Sequence, residues 1–183
     1  MPITIIVPKG EKFDEKKQEF VYTKESILQL EHSLISLRKW EAKWHKPFLV
    51  KDEKTFEETI DYIKCMTINS NVDPECYRFL TTNQITEIME YIKDPMTATW
   101  FSDINGNKRP VRKEIITAEI IYYWMIALNI PVEFQKWHLN QLLTLIKVCN
   151  IKNEPSKKMS QKEAAQQRAA LNAARRAKMH SKG

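Results

Sequence analysis

The chain has 183 residues, 43% hydrophobic and 28% charged, which suffices for one core-bearing domain with an appendage. Its three glycines are too few for phosphate-cradling loops or a many-stranded sheet with tight turns, so helices are favoured. The net charge of +6 is unevenly held: residues 152–183 carry nine Lys/Arg against two Glu, and the rest carries 20 against 21. A partner attracted by charge would meet the tail, and the body must be explained by packing.

In chain order, Ile3–Val7 is short and β-branched and is punctuated by Pro8-Lys9-Gly10. An alternating pattern resumes at Glu19–Thr23, so the two segments are expected to form a hairpin across a polar, charged loop. Ile27–Leu30 is the candidate third strand of this small sheet.

Helices follow. Leu34, Leu37, Trp40 and Trp44 recur at spacings of three and four, a one-faced pattern that Pro47 ends. Thr55–Ile68 repeats it through Phe56, Ile60, Ile63 and Met66 or Thr67, with Glu57, Glu58 and Asp61 near its start to suit the helix dipole. Asp73-Pro74 opens a short turn through Tyr77. Thr82 or Asn83 is the expected cap of a helix with Ile85, Ile88, Met89 and Ile92 on one face, closed by Asp94-Pro95.

Glu114–Asn129 is apolar nearly all round, which predicts burial on most sides. Glu133–Cys149 is the last helix of the body, with a stripe of Trp137, Leu142, Leu145, Ile146 and Cys149. The expected fold is mainly α: a compact helical bundle with a small N-terminal β-hairpin or sheet. Residues 1–151 form this body. Residues 152–183 are a basic linker and an Ala-rich helical tail, opened by the capping box Ser160-x-x-Glu163.

No motif of catalysis surrounds His32, His45 or His138, and structural histidines are the expected reading. Asp103-x-Asn105-Gly106-Asn107 places its glycine two positions early for a calcium loop and reads as a turn. Cys65, Cys76 and Cys149 match no zinc or redox spacing and are expected as free thiols. No cofactor, metal or enzymatic activity is expected. The longest apolar run, within Ile115–Leu128, is interrupted by Glu119 and falls short of the roughly 20 residues of a membrane helix. The N-terminus lacks signal-peptide features, so a cytosolic protein is expected.

Most of the five tryptophans lie among aliphatic residues, as in a core. Trp40 and Trp44 stand between Arg38, Lys39, Lys43, His45 and Lys46, which makes them candidates for a binding groove. The tail can bind phosphate backbones, dock on a protein partner, or stay solvated. It lacks aromatics for base stacking, which ranks protein docking first.

Pro95–Phe101, Arg112–Pro131, Lys136–Asn140, Val148–Asn153, Leu171–Arg176 and Leu30–Ser36 together resemble small tail-region proteins of siphophages and prophages of Gram-positive bacteria. Such proteins are regarded as tail assembly chaperones. The resemblance implies a helper in the host cytoplasm that binds the tape measure protein, recruits tail tube subunits, and in some cases has a frameshifted longer form. Trp40 and Trp44 are then candidates for the client groove, and Arg168, Arg175 and Arg176 for steering the tail onto acidic partner surfaces. A structural tail completion or connector protein, or a nucleic-acid-binding regulator acting through the tail, are the alternatives. Self-association is open.

Overall fold

The computed structural model describes residues 1–14, 18–99, 101 and 115–153, with helical positions 165, 168, 169, 171, 172 and 175 beyond them. The chain divides into two compact units, Met1–Asn150 and Ile151–Gly183. The fold is mainly α, with five α-helices among the described residues up to Asn153.

The N-terminal strands pair differently from expectation. β1 (Ile3–Val7) runs antiparallel to β4 (Ser26–Leu30), in a register from Ile3↔Leu30 to Val7↔Ser26. Ile5, Val7, Leu28 and Leu30 share one buried face, so the two strands alternate in matching phase and bury one surface together. The stretch read as a charged loop supplies its own strand, β2 (Gly10–Asp14), which pairs with β3 (Glu19–Thr23). Phe13 packs edge-on against its cross-strand neighbour Phe20, with ring centroids 5.1 Å apart. β2–β3 is thus a separate hairpin carried between the strands of the first.

Helix α1 (Leu34–Trp44) starts at Ser33, whose hydroxyl accepts from Ser36 N–H while Ser36 Oγ accepts from Ser33 N–H. It stops at His45, which takes a left-handed conformation (φ 52°) two residues before Pro47. Leu34, Leu37 and Trp40 are buried as their spacing predicts. Helix α2 (Phe56–Met66) is capped by Thr55 with Glu58 in the reciprocal box. Its inner face differs from the predicted stripe. Phe56 is 71% exposed, while Glu58 and Asp61 are buried beside Ile63 and Met66.

A 3-10 turn at Cys76–Phe79 follows. Helix α3 (Thr82–Lys93) is capped by Thr81, one residue before the expected position, because the Gln84 side chain reaches back to accept from Thr81 N–H at 2.9 Å. Helix α4 (Ala118–Ala127) buries Ala118, Ile121 and Met125 only. Tyr123 and Ile126 are exposed, so the expected burial on most sides does not hold among the described residues. The single helix expected from Glu133 is split into a 3-10 turn, Val132–Lys136, and helix α5 (Leu139–Asn153). The break falls where His138 bridges to Ser33 and Leu139 N–H donates to His32 carbonyl at 2.7 Å.

Two apolar clusters result. One gathers β1, β4, Trp40, α2, the first 3-10 turn and α3. The other packs Leu34 and Leu37 of α1 against α4 and α5. Phe48, in the loop after α1, touches both. Among the described residues no helix is long and apolar enough to cross a membrane.

Candidate functional site

The sequence offered Trp40 and Trp44 as groove residues, and the structure gives them separate places. Trp40 is 1% exposed, and its indole N–H donates to Glu58 carbonyl at 2.9 Å. Trp44 stacks on it with centroids 6.1 Å apart, stays half-buried, and donates to Asp61 Oδ2 at 2.9 Å. The flanking lysines are engaged too. Lys43 pairs with Asp61, and Lys46 meets Glu58 Oε1 at 2.6 Å. Both ammonium groups also stand about 6 Å from the Trp44 ring. The two carboxylates on the inner side of α2 are therefore compensated, Asp61 by Lys43 and the Trp44 indole of α1, and Glu58 by Lys46 and the Thr55 N–H, as burial of charge requires. Lys46 and the Thr55 cap hold the Glu58 carboxyl below its usual range. These residues fasten α1 to α2 and leave little free surface for a partner.

A separate opening lies between the loop that follows α1 and helices α2 and α3. It is a cleft of about 580 Å³, within the size range of ligand and peptide sites. Phe48, Leu49 and Val50 come from the loop, Tyr62 and Ile63 from α2, and Met89 and Ile92 from α3. The walls are apolar, with Lys51, Asp52, Lys54 and Lys93 among them. Lys51, Asp52 and Lys93 are exposed at the rim, whereas Lys54 is half-buried, with Nζ 4.5 Å from the Phe48 ring centroid. A smaller hollow of about 280 Å³ shares Val50, Asp52 and Lys54 with the cleft and has Trp40 and Lys46 in its wall.

Phe48 is the floor that ties this cleft to the interior. Its ring stacks on Tyr62 at 3.9 Å and meets Trp40 edge-on at 5.1 Å. Behind Tyr62, the structure joins two histidines that lie 106 positions apart in the chain, His32 and His138, with centroids 5.0 Å apart. Tyr62 Oη and His32 Nδ1 share a hydrogen bond of 2.5 Å. His138 Nε2 lies 3.1 Å from the Tyr91 carbonyl, which only accepts, so Nε2 carries the proton. His138 Nδ1 is then a bare acceptor, buried without a partner among the described residues. Burial, and then the neighbouring His138, push the His32 pKa down to about 3, and burial lowers that of His138 as well. Neither imidazole lines the cleft. Among the described residues no group of His, Cys, Asp and Glu has the arrangement of a metal site.

Arg168 and Arg175 are helical and exposed within the C-terminal unit. Arg176, His180, Trp100, the Asp103–Asn107 loop and the Ser160–Glu163 capping box lie outside the described residues. The cleft itself was missed in the sequence because its lining comes from three elements, and none of its residues forms a motif. In comparisons with known proteins, no family model matches the chain, and neither does any curated protein or solved structure.

Proposed function

We propose that this protein is a non-catalytic assembly chaperone that keeps an amphipathic helical client soluble by seating the client's apolar stripe in the Phe48–Tyr62–Met89 cleft. The observation that carries the reading is the cleft: an apolar trough between two helices and a loop, of the kind in which helix-in-groove recognition takes place. The sequence resemblance gives the client its identity: the tape measure protein of a siphophage, with tail tube subunits recruited in the host cytoplasm. On this reading the chain is a helical bundle bearing a basic helical tail. Arg168, Arg175 and Arg176 on that tail steer acidic partner surfaces.

The test is co-purification of the full chain with tape measure protein from nuclease-treated, phage-producing cells. Wild type is expected to retain the client, and Met89→Glu, with an unchanged circular dichroism spectrum, is expected to lose it. Retention by both would remove the cleft from the function. Stoichiometric presence in purified virions would favour a structural tail component instead. Nucleic acid in place of the client, with loss on charge reversal at Arg168 and Arg175, would favour a regulator.

A further inference from the structure

The cleft carries a charge pattern that apolar docking alone does not explain. Lys51, Lys54 and Lys93 stand in its lining with Asp52 as the one acid. Among the described residues none of these lysines takes part in a salt bridge, in contrast to Lys43 and Lys46 nearby. Lys54 is the informative one. The residue is half-buried with its ammonium over the Phe48 ring, and burial pulls its pKa below the usual lysine value, against the opposing pull of Glu58 and Asp52. A desolvated cation without an ion-pair partner is costly, and a partner's carboxylate offsets that cost.

We infer that the cleft's occupant is a helix of a partner protein whose apolar face is flanked by Asp or Glu, and that Lys51, Lys54 and Lys93 read that acidic flank. The inference rests on the docking reading above and adds the chemistry of the docked segment. Charge favours a partner over the chain's own C-terminal stretch, because residues 152–183 carry nine Lys/Arg against two Glu and the cleft offers three more cations. Apolar side chains of the incoming face fill the trough between α2 and α3. Its carboxylates reach the rim, where the pairs form at the edge of water.

Fluorescence anisotropy with two synthetic amphipathic peptides of roughly 20 residues, long enough to form helix, tests this. Both carry the same leucine stripe, flanked by Glu in one and by Lys in the other. The Glu-flanked peptide is expected to bind the full-length protein on the order of tenfold tighter at low salt, with the margin shrinking as salt rises. The triple variant K51Q/K54Q/K93Q is expected to bind both peptides without preference. Should the triple variant lose its fold, the exposed single variant K93Q and the salt dependence of wild type give the same reading. Equal binding of both peptides by wild type overturns the inference and leaves apolar docking standing. Binding of neither by folded protein overturns both. A dimer in sedimentation that the lysine variants dissolve would place a second copy in the cleft, and that too overturns it.

Discussion

Glu41 of α1 caps helix α4 across the core: its Oε2 accepts from Ala118 N–H at 2.7 Å. Its other oxygen takes Phe48 N–H at 2.9 Å, so one buried carboxylate fixes both the start of α4 and the loop that floors the cleft. Thr117, the local capping position, makes no capping hydrogen bond with its side chain, which leaves this duty to Glu41. Glu41→Ala is expected to cost about 2–3 kcal/mol, since hydrogen bonds to a charged group are worth more than neutral ones. Glu41→Gln keeps one acceptor oxygen and is expected to cost about half as much. Urea melts measure both, and an Ala variant as stable as wild type would remove the cap from the account.

Stability is expected to fall on the acid side of neutrality. His32 has a native pKa of about 3 against an unfolded value of about 6.5. Between those values the unfolded chain binds a proton that the native protein refuses. The stabilising difference is complete above the unfolded pKa and is lost as pH falls toward the native one, at up to about 1.4 kcal/mol per unit. His138, lowered by burial, adds in the same direction. Urea midpoints of wild type should therefore drop as pH is taken from about 7 to about 4.5. His32→Gln should show a shallower decline whatever its starting stability, and parallel slopes would refute the assignment.

Cys76 is fully buried, and burial followed by the Asp73 charge raises its thiol pKa to about 11. Iodoacetamide at neutral pH is expected to leave Cys76 unmodified in the native protein and to label it in urea, with peptide mass spectrometry as readout. Labelling of Cys76 as fast as half-buried Cys65 would mean that the Cys76–Phe79 turn opens readily.

Gly10 stands where a side chain does not fit. A Cβ there would lie 2.4 Å from Phe79 Cδ1 and 2.7 Å from Cε1. Gly10→Ala is expected to cost about 1–3 kcal/mol by overpacking. Phe79→Leu in the same chain should recover part of that loss, and a double-mutant cycle in urea measures the coupling. Additive effects would show that the ring simply swings aside.

The legible parts of the sequence were those governed by local period. Leu34, Leu37 and Trp40 fell inward as their spacing predicted, and α2 falls within the stretch Thr55–Ile68. What escaped prediction depended on partners distant in the chain. Glu58 and Asp61 read as acids that suit the helix dipole, and what makes their burial tolerable, Lys43, Lys46, the Trp44 indole and the Thr55 N–H, is set by packing. The helix expected through Trp137 breaks because Ser33 and His32 supply a backbone partner at His138 and Leu139. Tyr123 and Ile126 looked internal on composition alone, yet α4 buries only one side. The cleft needed Phe48, Tyr62 and Met89 to be assembled before it existed.

The nesting of one hairpin inside the other has a kinetic consequence. β1 and β4 belong to a pair whose connecting segment, from Val7 to Ser26, would be entropically slow to close as a floppy loop. β2 and β3 pair within that segment, from Asp14↔Glu19 at the tip to Gly10↔Thr23 at the base. Once that short-range ribbon zips, Val7 and Ser26 are separated only by Pro8-Lys9 on one arm and Lys24-Glu25 on the other. The outer pair then forms as a continuation of the inner one, and the chain end that completes the first apolar cluster arrives by a sequence of short closures.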